Sequence, residues 1–330
     1  MKRYFPITLS ILIVLVSFGV VYNIKNSKTP TKKIEKLDSN IGSFQKSRGC
    51  ARFPYFLSKM RIPQPIAIDL SQQHYKGLAF LFGRGFNRAV HIKTWERFDY
   101  FGGYALDKSG NMYLAPMPFI SVKPYTFNLQ KNIYKLDSKN GKLSIWLTID
   151  EVKATSNNPF GIISIVYDCD DNTLWVSSID KSDYFHSRGT IYHIDIASKK
   201  ILQKVEGIDA LSLQLLHTTK GKYLLAGIAN DNSLVALEIK DNRLKLSQNS
   251  RESETSVPKK VRINPSVPIK LFELPNKEEH IRKIKIVGKN HLQIQTIPFS
   301  YNLIAQTLEQ ASIRKSYDLV WDKNKWSLHK

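Results

Sequence analysis

Two cysteines, eight histidines and one acidic run are the residues whose types and spacing bear on chemistry. Cys50 and Cys169 fit neither a zinc spacing nor a C-x-x-C redox pair. In an exported chain they suit a single disulfide that pins the segment after the leader onto the folded body. Two buried free thiols are the other reading. The histidines are scattered and form no H-E-x-x-H or H-x-H pattern. His186, in SDYFHSRG, falls in a loop between strands, either lining a binding face or simply exposed. The run Asp168-Cys169-Asp170-Asp171-Asn172 looks like a calcium loop but lacks the spacing and the closing glutamate of one. It reads better as a hairpin turn, since Asp and Asn are turn formers. No G-x-S-x-G elbow occurs, and Gly83-Arg84-Gly85 lacks the third glycine and the following helix of a dinucleotide site. Tyr100, Phe101 and Tyr104, beside Gly102 and Gly103, suit either an aromatic binding surface or core packing.

The elements around these residues are strands. From residue 62 onward, short apolar runs alternate with polar turns, without sustained helical periodicity. Four runs share one form: GYALDKSGNMYLA from Gly103, SIVYDCDDNTLWVSS from Ser164, LQLLHTTKGKYLLAG from Leu213 and KIKIVGKNHLQIQ from Lys283. Each is a β-type run, a turn of Asp, Asn, Gly or Lys, and a second β-type run. A second hairpin follows each, as in NIYKLDSKNGKLSIWLTI after the first and TIYHIDIASKKILQKVEGI after the second. Two successive hairpins make a four-stranded antiparallel unit. Such a unit buries both faces only by stacking on its neighbours, which is the logic of a propeller. Blades take about 40–50 residues, so residues 62–330 are expected to hold six, with Lys76–Phe98 forming one of longer strands. The expected class is all-β: a β-propeller of six four-stranded antiparallel blades, preceded by an N-terminal transmembrane or signal helix.

Asn158-Pro159-Phe160-Gly161, followed by IISIVYDCDDNTLWVSS and GTIYHIDIASKKIL, resembles blades of the six-bladed propeller superfamily. That superfamily includes the gluconolactonase and regucalcin-like enzymes, the strictosidine synthase-like proteins and the NHL-repeat proteins. The resemblance implies a divalent metal at the top of the central channel, held by Glu, Asn and Asp from different blades; oxygen ligands of this kind suit calcium. By the same resemblance Asn158, in a blade-opening loop, and Asp209, at the next one, are the metal or ligand contacts. The sequence departs from the lactonase pattern: no Glu-Gly pair opens the first blade, and Asn140-Gly141 sits in a hairpin turn. No cofactor is therefore expected, calcium being the one that the resemblance admits.

The N-terminus carries Lys2 and Arg3, then no charge from Tyr4 to Ile24. That run exceeds the apolar core of a signal peptide and approaches the ~20 residues that cross a bilayer. Residues 1–24 are read as a signal-anchor, 25–61 as a basic linker and docking segment, and 62–330 as the propeller. Phe53, Tyr55, Phe56 and Leu57 are expected to dock on the body. The formal net charge is +21, and residues 1–61 hold twelve Lys or Arg against two acids. Lys25, Lys28, Lys32 and Lys33 beside a membrane helix suit anionic lipid head groups; no nucleic-acid motif accompanies the charge, so nucleic acid is not an expected partner. The count of flanking lysines favours a cytoplasmic body, whereas the short tail before the helix and its export-like form favour an extracytoplasmic one. The second is adopted, with secretion if the leader is cleaved. Three functions follow: a membrane-anchored binding or scaffold propeller, a metal-dependent lactonase-type hydrolase, and a polyanion-binding surface protein. The polar run NSRESETSVPKKVRI reads as an exposed loop between blades.

Overall fold

A computed structural model describes residues 41–46, 49–70, 75–118, 127–245, 268–302, 314–322 and 325–329. The expected helix over 1–24, the lysines at 25, 28, 32 and 33, and the run NSRESETSVPKKVRI lie outside them. Among the described residues no helix is long and apolar enough to cross a membrane.

After a short helix, α1 (Tyr55–Lys59), the chain lays down five antiparallel sheets in sequence order. Sheet 1 joins β1 (Ile66–Asp69), β2 (Ala79–Phe82) and β3 (Arg88–Val90). Sheet 2 joins β4 (Tyr100–Leu106), β5 (Met112–Met117), β6 (Asn132–Leu136) and β7 (Leu143–Thr148). Sheet 3 joins β8 (Ile162–Asp168), β9 (Thr173–Ser178), β10 (Thr190–Asp195) and β11 (Ile201–Glu206). Sheet 4 joins β12 (Ala210–Thr218), β13 (Gly221–Ile228), β14 (Ser233–Lys240) and β15 (Arg243–Leu244), with β16 (Ile269–Glu273) also pairing β14. Sheet 5 joins β17 (Glu279–Gly288), β18 (His291–Pro298), β19 (Lys315–Asp322) and β20 (Lys325–His329).

These sheets are the blades of a β-propeller, and among the described residues they number five rather than the expected six. The repeat units are longer than the ~40–50 residues assumed, because long connections separate some strands, such as Pro298 from Lys315. Lys76–Phe98 forms short strands rather than long ones, and its Lys93–Phe98 stretch winds into a 3-10 turn that buries Trp95 and Phe98.

Aspartate closes the hairpins. Asp107 Oδ1 accepts the N–H groups of Ser109 and Asn111, both at 2.8 Å. Asp137 accepts from Lys139 and Asn140, Asp168 from Asp170, and Asp195 from Ser198. A side-chain oxygen thus takes turn N–H groups that the ladder leaves unpaired. Asn172 and Asn290 supply the left-handed residue their turns need, at φ +58° and +52°.

Apolar clusters of the described residues join sheet 1 to 2, 2 to 3, 3 to 4 and 4 to 5; none of them joins sheet 5 to sheet 1. The innermost strands share one irregularity. Near the start of β4, β8, β12 and β17 one residue is bulged out of register: Gly102, Ile163, Leu211 and Arg282. A bulge leaves its residue outside the ladder. Arg282 serves the other three: Nη1 donates to Leu211 O at 2.9 Å, and Nη2 to Gly102 O at 3.0 Å and Ile163 O at 3.4 Å. One guanidinium therefore ties four blades together at the axis. Gly102 makes room for it, since a Cβ there would lie 2.8 Å from Nη2.

Residues 41–57 strap the end where the first-to-second and third-to-fourth strand hairpins turn. Phe44 bridges Thr218, and its N–H and the Ser43 hydroxyl both donate to Asn290 Oδ1 at 2.9 Å. Cys50 and Cys169 are disulfide-bonded, with Cα atoms 6.2 Å apart, on the β8–β9 turn. Arg52 N–H donates to Asp107 O at 3.2 Å, and Phe56 N–H to Ser138 O at 2.8 Å. The strap thus touches the turns of sheets 4 and 5 together, then those of sheets 3 and 2, and sets Phe56 and Leu57 into the cluster between sheets 1 and 2. Each of those two buried side chains contributes about 1.5–3 kcal/mol. Phe53 and Tyr55, expected to dock with them, are exposed.

Candidate functional site

With one end strapped, the opposite end carries the loops that join second to third strands and one sheet to the next. Their residues meet over the axis. Phe160, Ile163, Ile179, Leu211, Ala229 and Tyr301 form a buried cluster, with Met117 and Phe299 packed against it. Among the described residues this cluster is apolar, with the buried Asp209 carboxylate against it through Tyr301.

Asn158 and Asp209 are both buried here, and Ser182 links them. Asn158 Nδ2 donates to Ile179 O at 2.6 Å and to Ser182 O at 2.9 Å, and its Oδ1 accepts Phe160 N–H at 3.1 Å. Asp209 accepts Ser182 Oγ and Gly189 N–H, each at 2.5 Å, and Tyr301 OH at 2.6 Å. Burial pushes the Asp209 carboxyl above the ordinary range, against the pull of these donors. Burial, and then the adjacent Asp209 carboxylate, raise the Tyr301 phenol as well. Asn158 thus holds Ile179, Ser182 and Phe160, and Asp209 holds Ser182, Gly189 and Tyr301, so both brace the root of the loop 179–189.

His186, the third residue singled out from sequence, stands on that loop. It is exposed, with Nδ1 3.0 Å from Asp183 Oδ1. Slight burial pushes the Asp183 carboxyl up, but the N–H groups of Phe185 and His186 and the His186 ring outweigh it and hold it below the usual range. Beside His186 the loop holds out two aromatics, Tyr184 at 59% exposure and Phe185 at 72%. Tyr184 hydrogen-bonds Ser300 and packs edge-on to Tyr301, with ring centroids 5.7 Å apart. The fold therefore brings Asn158, Asp209 and His186 onto one loop system, the first two as supports and the third at its surface.

Several features escape residue-by-residue reading of the sequence. Ser182 and Tyr301 lie 119 residues apart and meet only through Asp209. Arg282 carried no positional signal in the hairpin repeat; only the bulges set it level with Gly102, Ile163 and Leu211. The Asp168–Asn172 run is a hairpin turn, with Lys222 Nζ 2.6 Å from Asp168 and 2.8 Å from Asp170. Phe101 is core, whereas Tyr104 is partly exposed. Among the described residues no group of three or more His, Cys, Asp or Glu is placed to hold a metal ion. A shallow depression of about 400 Å³ lined by Lys135, Lys142, Trp146 and Lys199 lies on the outer strands of sheets 2 and 3, away from the axis.

No family model and no curated protein matches the chain. Among solved structures, the chain is similar to one from a study of two prolyl endopeptidases and the role of inter-domain dynamics in their catalysis and specificity. The identity is 11% and the TM-score 0.35, over 76% of this chain and 38% of that one. The chain thus spans well under half the length of that structure.

Proposed function

We propose that the protein is an exported binding module, tethered to a membrane by residues 4–24, that presents the loop face of its propeller to a protein or polymer ligand. The observation that carries this reading is the 179–189 loop. Its root is fixed by Asn158 and Asp209, and its tip holds Tyr184 and Phe185 out of the fold. Rigidly supported exposed aromatics are the usual anchors of a recognition surface, because they add contact area at little entropic cost. The strap covers the opposite end of the propeller and leaves the loop face clear. Lys25, Lys28, Lys32 and Lys33 follow the apolar run in sequence, where anionic lipid head groups would attract them.

The alternative, a metal-dependent lactonase-type hydrolase, is separated by one experiment. The full-length protein in detergent is assayed for bound metal and melted in calcium and in chelator. A binding module gives no stoichiometric metal and coincident melts. A bound metal, or a melting temperature raised by calcium, identifies a native-state site and overturns the reading in favour of the hydrolase.

A further inference from the structure

The two ends of the propeller differ in charge. The strap and the hairpin turns of sheets 2 to 5 cover 41–61, 107–111, 137–142, 169–172, 195–200, 219–220, 241–242 and 289–290. Among the described residues these hold eleven Lys or Arg, all exposed, against six Asp. Four of the six are already engaged: Asp107, Asp137 and Asp195 accept N–H groups of their own hairpins, and Asp170 pairs with Lys222. The connections that enter or leave sheets 2 to 5 at the other end cover 91–99, 127–131, 149–161, 179–189, 207–209, 229–232, 274–278, 299–302 and 314. There the described residues hold eight Lys or Arg against nine Asp or Glu. The strapped end is basic, and the loop end is balanced.

The strap adds apolar surface to this charge. Residues 41–61 contain no Asp or Glu, and Lys46, Arg52, Lys59 and Arg61 are exposed along them. Among these cations Phe53, Tyr55 and Met60 keep 39%, 56% and 52% of their surface exposed. Helix α1 buries Phe56 and Leu57 while Tyr55 faces solvent, with Lys59 Nζ 5.2 Å from the centre of its ring. Aromatic and basic side chains mixed in this way suit the surface of a bilayer, where rings sit at head-group depth and cations meet anionic lipids. The cations are spread over the strap and the turns of several sheets rather than gathered in one hollow, which fits a broad surface better than a small ligand. Residues 25–40 lead from the apolar run to the strap, and fully extended they reach at most roughly 55 Å. A tether of that reach holds the body near a bilayer at an effective concentration on the order of millimolar, so a modest attraction decides which end faces it.

We propose that the strapped end is a membrane-docking face, which rests on an anionic lipid bilayer through the cations of the strap and turns and through Phe53, Tyr55 and Met60. Docking at this end presents the loop 179–189 outward. The inference rests on the tether reading for its bilayer, and adds an orientation that a tether alone does not fix. Each basic residue near an anionic surface strengthens the attraction roughly fivefold, and salt weakens it.

The test is lysine footprinting of the full-length protein with a membrane-impermeant acylating reagent, read by mass spectrometry. The protein is mixed with vesicles of neutral phosphatidylcholine, alone or with anionic phosphatidylglycerol, at low and high salt. Lys108, Lys139 and Lys220 report the strapped end, and Lys93 and Lys277 the loop end; all five are exposed. On anionic vesicles at low salt the first three should label at least about threefold more slowly relative to the other two. Neutral lipid or high salt should abolish the difference. Two double variants of equal net charge are compared, Arg52→Gln/Lys59→Gln on the strap and Lys153→Gln/Lys181→Gln at the loop end, with thermal melts to check folding. The strap variant should lose most of the protection and the loop-end variant should keep it. Equal labelling of the two ends on anionic vesicles, protection of the loop end instead, or equal losses in the two variants overturns the docking face. Polyglutamate that protects the same lysines better than the vesicles do, at equal anionic charge, makes the occupant a soluble polyanion and also overturns it. An alkaline carbonate wash reads the tether separately: protein that washes off yet shows the protection keeps the docking face and sinks the tether, and retained protein without protection does the reverse.

Discussion

Replacing Arg282 by methionine tests how the blades are held at the axis. The wild-type side chain makes three hydrogen bonds to carbonyls of Leu211, Gly102 and Ile163. Bonds from a charged donor are worth ~1.5–3 kcal/mol each, so the gross loss is roughly 4–9 kcal/mol. Against this, burial lowers the guanidinium from 12.5 to about 10. At ~1.4 kcal/mol per pKa unit, its desolvation costs about 3 kcal/mol, which methionine does not incur. The net destabilisation is therefore about 3 kcal/mol, within a range of ~1–6. At ~2–4 °C per kcal/mol for a domain of this size, the melting temperature should fall by roughly 6–12 °C. Gly102→Ala gives an independent reading, since its Cβ would lie 2.8 Å from Nη2 and 3.0 Å from Met117 Sδ. Circular-dichroism melts of both single variants and the double variant complete the cycle. The alanine should cost less once Arg282 is gone, with a coupling of at least ~0.5 kcal/mol. An Arg282→Met melt equal to or above wild type, together with strict additivity, would refute the pin. The arginine would then be a buried ion that a hydrophobe replaces without loss.

Two further predictions concern the strapped end. His193 is buried and stacked on Trp175 at 3.9 Å, with Nε2 2.7 Å from Thr173 Oγ1. Burial depresses its pKa below 6.5, outweighing Asp171 and Asp168. The unfolded chain therefore takes up the proton first. The stability tied to neutral His193 is complete above about 6.5 and is lost as pH falls below it. Denaturant midpoints should drop between pH 7.5 and 5.5, and His193→Gln should flatten that drop; an unchanged slope counts against the assignment. The Cys50–Cys169 link closes a loop with a sequence separation of 119, for which chain entropy gives up to about 5 kcal/mol and typical bridges ~2–4 kcal/mol. Cys50→Ser/Cys169→Ser should lower the melting temperature and open the strap to limited proteolysis near Arg52. Equal protease resistance in the variant would show that Phe44, Phe56 and Leu57 suffice to hold it.

The sequence by itself determined the local units, because their causes are local. Strands alternate apolar and polar residues, and Asp107, Asp137, Asp168 and Asp195 mark turns by bonding N–H groups two to four residues on. The propeller class followed, since such hairpins bury both faces only by stacking. The blade count did not, because loop length is nearly free of thermodynamic constraint, so residues could not be converted into blades. Only the tertiary structure decided what Asn158 and Asp209 do. As residue types they fit a ligand set; the tertiary structure adds the loop that they brace, with Ser182, Gly189 and Tyr301 converging on them from distant positions. It also decided the fate of the docking segment. Phe56 and Leu57 meet a cavity between two sheets, while Phe53 and Tyr55, equally apolar, meet solvent. Arg282 is the clearest case. Its charge is plain in the chain, but the carbonyls that hold it become its partners only when three other blades bring their bulges to the same axis.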